Sequence, residues 1–201
     1  MKSLEALQTL QALNQSVLST KHVAMILGIS HAHASKLLSR LAETQTIFSL
    51  KRGLWLIDKT MSPYHLVPYL TAPFPSYISC HTALYFHGMI SQIPEVIYVA
   101  TIGRTQKMNP PVGHYSCHHI HPDFFFGYEL NHDTNIWMAT PEKALIDYLY
   151  LSPAKSKLFY ALPELELDAL NIKDAYNIIQ RIPSKRTRSL VSQKLHELLE
   201  R

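Results

Sequence analysis

The sequence predicts an α+β chain in two parts. Three short helices closed by a hairpin with a basic tip come first, then a mixed α+β segment that ends in two helices. Three observations carry this expectation. Apolar residues recur at helical spacing between Leu4 and Leu41. Two β-rich runs flank Lys51-Arg52-Gly53. Beyond Pro63, short β-rich runs alternate with helix-start signals.

Taken in order, Leu4, Leu7, Leu10 and Leu13 predict a first helix with one apolar stripe. Ser19 or Thr20 caps a second helix, whose buried face is Val23, Ala24, Ile26 and Leu27. Gly28 supplies the permissive backbone at its end, and Ile29 plugs the core. Ser30 then caps a third helix that buries Ala34, Leu37, Leu38 and Leu41. Ile47-Phe48-Ser49-Leu50 and Leu54-Trp55-Leu56-Ile57 read as the strands of the hairpin. Two helices joined by a Gly-Ile-Ser turn and followed by such a hairpin read as a winged helix-turn-helix over residues 1–61.

The outer face of the third helix suggests its use. His31, His33, Ser35, Lys36, Ser39 and Arg40 point away from the leucines, and none is acidic. A helix entering the major groove needs donors for base edges and phosphates and must keep carboxylates away from phosphate. Lys51 and Arg52 at the hairpin tip suit the adjacent backbone or minor groove. Double-stranded DNA is therefore the expected partner.

Charge supports that division. The chain has a formal net charge of +4 and a pI near 9.0, which favours a polyanionic partner. From Met1 to Met61 there are seven basic and three acidic residues. From Ser62 to Tyr150 there are three basic and six acidic residues, and from Leu151 to Arg201 nine and six. Met61-Ser62-Pro63 is the expected boundary, with residues 62–201 forming the second domain. Cys80 and Cys117 are the two cysteines, too few for a disulfide framework and in keeping with a reducing cytosol. Glu5 and Gln8 interrupt any apolar signal core, and no stretch approaches the length needed to span a bilayer. A cytoplasmic chain without membrane contact is expected.

In the second part, Ser79 to His87 reads as a short helix ended by Gly88. Val96 to Ala100, Tyr115 to Ile120 and Ile136 to Ala139 read as strands. Thr140-Pro141-Glu142 opens another helix, with threonine as the cap, proline in the first turn and Glu142 favourable to the helix dipole. Ala144, Leu145, Tyr148 and Leu149 form its buried face. Ile172 to Ile182 and Ser184 to Arg201 read as the closing amphipathic helices, the last with a Val191, Leu195 and Leu198 stripe. Lys185, Arg186 and Arg188 crowd its first turn against the helix dipole, which suggests a second nucleic-acid contact.

With these residues in view, the chain resembles the AbiEi family between about Ser19 and Tyr150. The basic-tipped wing is followed by Tyr77-Ile78-Ser79-Cys80-His81-Thr82-Ala83-Leu84-Tyr85-Phe86-His87-Gly88 and by Ala139-Thr140-Pro141-Glu142-Lys143-Ala144-Leu145-Ile146-Asp147. It is the order of these segments that carries the likeness. The resemblance implies an antitoxin of a type IV toxin–antitoxin system that also represses transcription from the promoter of its own operon. It further implies a toxin resembling a nucleotidyltransferase, which the antitoxin need not touch. A solitary regulator or a protein-interaction adaptor on the same architecture is the alternative.

Enzyme chemistry is the weaker expectation, and no cofactor or metal is expected. His114, Cys117, His118, His119 and His121 cluster, and Cys117, His119 and His121 would share one strand face. Alternate strand residues splay, no Cys-x-x-Cys pair accompanies them, and polar residues on an edge strand are the plainer outcome. Glu142 and Asp147 lie five apart on a helix, so dipole and surface roles are expected rather than a carboxylate pair. Cys80 and His81 are adjacent on a helix and do not face each other.

Overall fold

The computed structural model describes residues 3–132, 134–152, 164–168 and 170–200. Arg201, placed by the sequence in the last helix, lies outside them. The chain is mixed α+β, with eight α-helices and two sheets among the described residues. It forms two compact units. The first comprises residues 1–70 with 109–113, and the second residues 71–108 with 114–201. The first unit therefore runs on through Met61-Ser62-Pro63. Pro63 opens a 3-10 turn, Pro63–Leu66, where a missing N–H costs nothing.

In the first unit the order is α1 (Ser3–Gln11), β1 (Val17–Ser19), α2 (Thr20–Leu27), α3 (His31–Glu43), β2 (Phe48–Lys51) and β3 (Leu54–Leu56). The sheet order is β1-β3-β2, all antiparallel. Strand β1 was not expected from the sequence. Its three residues are too few for a period, and β3 supplies the partner that makes them a strand. The core joins Ala6, Leu10, Leu18, Val23, Leu38, Ile47 and Trp55. Trp55 also donates its indole N–H to Thr20 Oγ1 at 2.8 Å, so the buried hydroxyl and the ring satisfy each other.

The leucine stripe expected on α1 is only half realised. Leu10 is buried and Leu7 packs at the core margin, but Leu4 is 65% and Leu13 38% exposed. Each step of three residues falls about 60° short of a full turn. Leu4, Leu7 and Leu10 therefore sweep about a third of the helix circumference. Ala6 with Leu10, four apart, makes the true contact line, and Leu13 lies in the turn beyond the end of α1.

The second unit is built on a six-stranded mixed sheet of order β6-β7-β5-β4-β9-β8. Its strands are β4 (Ser76–Ile78), β5 (Val96–Thr101), β6 (Gln106–Met108), β7 (His114–His119), β8 (Tyr128–Asn131) and β9 (Ile136–Ala139). The central pairs β5–β7 and β4–β9 are parallel, and the others antiparallel. Helix α4 (Val67–Thr71) leads into the unit, α5 (Cys80–Phe86) follows β4, and α6 (Pro141–Leu151) follows β9. Helix α6 packs against α5 and against α7 (Ile172–Gln180) and α8 (Lys185–Leu199). It begins as the sequence requires, with Thr140 Oγ1 accepting from the Lys143 N–H and Pro141 at the first helical position.

Candidate nucleic-acid interface

Helix α2 at both ends, and the start of α3, are fixed by features legible in the sequence. Ser19 caps α2 by accepting from the His22 N–H at 3.1 Å. Gly28 ends α2 in the left-handed region at φ 62°, where a side chain would be strained. The Ile29 N–H returns to the Ala24 carbonyl, and Ser30 caps α3 by accepting from the His33 N–H at 3.2 Å. Ala34, Leu37, Leu38 and Leu41 are all buried, which fixes the rotation of α3 about its axis. The opposite face presents His31, His33, Lys36, Ser39 and Arg40 to solvent, with Ser35 half-buried beside them. Glu43, the one carboxylate on α3, sits at its C-terminal end.

The two hairpin cations differ. Gly53 turns the β2–β3 hairpin at φ 75°, and Arg52 is exposed at the tip. Lys51 belongs to β2, is half-buried, and donates its Nζ to the Leu70 carbonyl at 3.0 Å. The register of the hairpin shifts between Ser49 and Lys51. The sequence placed Lys51 and Arg52 together as wing contacts. The hydrogen bond gives Lys51 a task inside the fold.

The last basic cluster divides in the same way. Ser184 caps α8, and Lys185 and Arg186 on its first turn are exposed. Arg188 folds back, and its Nε and Nη2 both donate to the Ile182 carbonyl, at 3.2 and 2.8 Å. That carbonyl lies in the turn between α7 and α8, so Arg188 satisfies an acceptor of the connecting backbone.

The rival sites resolve differently from their sequence reading. Strand β7 is internal, flanked by β5 and β6, so its histidines are not on an edge. His118 is buried against Ser116, with Nε2 2.8 Å from Ser116 Oγ. Burial, with Lys107 adding to it, holds its imidazole down at about 4. His119 is exposed at the strand end, and His121 lies beyond the strand. Among the described residues, no three His, Cys, Asp or Glu side chains are grouped so as to hold a metal ion.

Asp147 is not a surface residue. It is wholly buried, paired with Lys143 one turn earlier on α6, and accepts hydrogen bonds from Tyr77 Oη at 2.9 Å and Ser79 Oγ at 2.7 Å. The Lys143 ammonium also sits 3.5 Å from the Phe124 ring centroid. Beside this cluster, burial pushes the Cys80 thiol well up, away from the thiolate a nucleophile needs. Glu142, by contrast, accepts the Asn171 N–H at 3.0 Å and so ties the start of α6 to the cap of α7. The sequence had one signal for the buried pair: Lys143 and Asp147 are four apart on a helix. Its burial comes from β4 and from the 3-10 turn Pro122–Phe124, the Phe124 turn, which sequence proximity does not reveal. With Lys143 and Asp147 both closed to solvent, the cluster is equipped to hold α6, β4 and the Phe124 turn together rather than to meet a substrate.

Among the described residues, no helix is long and apolar enough to cross a membrane. No protein-family model matches the chain, and no curated protein is significantly similar to it.

Proposed function

We propose that the first unit is a winged helix-turn-helix that binds double-stranded DNA, with α3 as the reading helix and Arg52 at the tip of the wing. One observation carries this reading. The outer face of α3 from His31 to Arg40 is exposed and free of acid, while its inner face is locked by four buried residues. Such a face offers donors to base edges and phosphates without repulsion. The order helix, strand, helix, turn, helix and hairpin supports it, with the hairpin joining β1 in one three-stranded sheet.

At the level of the whole chain, the proposed activity is transcriptional repression, as the antitoxin of a type IV pair that regulates its own operon. This rests on the resemblance to the AbiEi family in the wing, the Tyr77–Gly88 segment and the Ala139–Asp147 segment. The implied toxin is a nucleotidyltransferase-like protein, linked through function rather than obligatory contact.

The test is a gel-shift titration of the full chain on the DNA upstream of its own gene, against a scrambled duplex, at several salt concentrations. Preferential binding that weakens with salt supports the reading. Equal affinity for both duplexes, or binding to neither, overturns it. Suppression of the toxicity of an adjacent nucleotidyltransferase gene separates an antitoxin from a solitary regulator.

A further inference from the structure

The second unit holds a cleft of about 260 Å³ that the DNA reading does not use. It lies between α5, the segment after it, and the first half of β5. One wall is aromatic. His81 and Tyr98 line it, their ring centroids 4.7 Å apart and their planes tilted by 38°, while Tyr148 and His118 contact these two rings from outside the lining, at 5.0 Å from His81 and 6.2 Å from Tyr98. Ile90 and Val96 add apolar surface, and Ile93 stands 67% exposed at the rim. Besides the His81 imidazole and the Tyr98 hydroxyl, the polar groups are Gln92 and Glu95, and the described lining residues include no lysine or arginine.

We propose that this cleft binds a small heteroaromatic ring bearing an exocyclic amino group, of the adenine or cytosine type. The His81 and Tyr98 rings, with the branched aliphatics Ile90 and Val96, suit the face of a single planar ring. Glu95 accepts hydrogen bonds only, and so selects a ligand that presents N–H donors on its edge. Gln92, also in the lining, offers both a donor and an acceptor. The Glu95 carboxylate itself repels phosphates and carboxylates. The volume falls just below the roughly 300–1,000 Å³ typical of small-molecule sites, which fits one ring system and not a dinucleotide. Burial lowers the His81 pKa, so at neutral pH the imidazole adds a hydrogen-bonding ring rather than a second charge. The inference stands apart from DNA binding, since every group that carries it belongs to the second unit.

Isothermal titration of the full chain with adenosine, cytidine, uridine and n-butylamine tests it. Adenosine or cytidine should bind with a dissociation constant of about 1 mM or tighter, and uridine and butylamine at least about tenfold more weakly. Uridine keeps the ribose but lacks the amino group, and butylamine keeps the amine but lacks the ring. Glu95 is exposed, so Glu95→Gln should leave the circular dichroism spectrum intact and weaken the preferred nucleoside about tenfold. Gln92→Ala should weaken it independently, and Glu129→Gln, on β8, should not. The proposal falls if neither amino nucleoside binds at up to about 10 mM. It also falls if uridine or butylamine binds equally well, or if Glu95→Gln and Gln92→Ala leave the affinity unchanged.

Discussion

Lys143 and Asp147 face each other across one turn of α6, both wholly excluded from solvent, and the carboxylate also accepts from Tyr77 and Ser79. Burial alone pushes Asp147 up and Lys143 down, toward their neutral forms, and their mutual attraction opposes that in each case. Three elements depend on the arrangement: β4 supplies Tyr77, α6 the pair, and the Phe124 turn the ring that faces the ammonium. Breaking such a pair leaves a buried charge without its counterpart. Asp147→Ala should destabilise the chain by about 3–5 kcal/mol, read from urea unfolding followed by circular dichroism. Lys143→Met with Asp147→Leu should cost clearly less than either single change, because apolar replacement of both partners is often neutral. Equal losses in the double and single variants would show that volume rather than charge pairing holds this corner.

Gly127 tests the same corner from the backbone. It sits at φ 75°, and a Cβ there would lie 3.1 Å from Lys143 Cγ. Gly127→Ala should therefore cost roughly 1–3 kcal/mol, combining left-handed strain with displacement of the lysine stem. Gly88→Ala serves as comparison. It has a similar φ of 69° but open space around it, and should cost less. Equal losses at the two glycines would mean that the lysine stem gives way freely.

The contrast between α3 and α6 shows what was legible in the sequence. On α3 every buried position was read from spacing, because a helix with one buried side writes its period into the chain. On α6 the run Lys143 to Leu149 is buried without a break, so its period is lost and two charges vanish inside it. The caps Ser19, Ser30 and Thr140 were legible because the cap bond is local. Strands β1, β4, β6 and β8, three or four residues each, were not, because pairing across the sheet defines them. The roles of Lys51 and Arg188 escaped for a related reason. Each long side chain reaches a carbonyl whose position depends on how the chain turns.

His118 sets a pH dependence. Its folded pKa of about 4 lies below its ordinary value of 6.5, chiefly because burial disfavours the imidazolium. Between those two values the unfolded chain binds the extra proton and the folded chain does not, so stability rises with pH. The contribution is complete above pH 6.5 and is lost as pH falls toward 4. The slope approaches about 1.4 kcal/mol per pH unit for one proton. His118→Gln should flatten the acid arm of the stability profile over that window. An unchanged slope would place the acid sensitivity elsewhere, with His81, also lowered by burial, the next to replace.

On α3, Lys36→Ala with Arg40→Ala should abolish sequence-specific binding and shift stability by no more than about 0.5 kcal/mol, since both side chains are exposed. The hairpin cations should separate. Arg52→Ala should lower the slope of log affinity against log salt by about 0.9, the value of one phosphate contact. Lys51→Ala should leave that slope alone and cost about 1–3 kcal/mol of stability through the lost Leu70 contact. If Lys51→Ala changes the salt slope and Arg52→Ala does not, the wing assignment is reversed.

The cluster at the start of α8 makes the sharpest distinction between contact and scaffold. Lys185 and Arg186 are exposed and lie where they oppose the helix dipole, so removing them should not weaken the fold and should relieve about 0.3–1 kcal/mol each. Arg188 has its guanidinium on the Ile182 carbonyl, and Arg188→Ala should cost roughly 1.5–3 kcal/mol, the range for a charged hydrogen bond. If the cluster also touches DNA, Lys185→Ala with Arg186→Ala will shorten the footprint on the promoter and lower the salt slope, while Arg188→Ala at a temperature where the chain stays folded will do neither. A footprint and slope unchanged by the double variant would confine DNA binding to the first unit. The two cations would then act as solubilising charge at the start of a helix that Ser184 already caps.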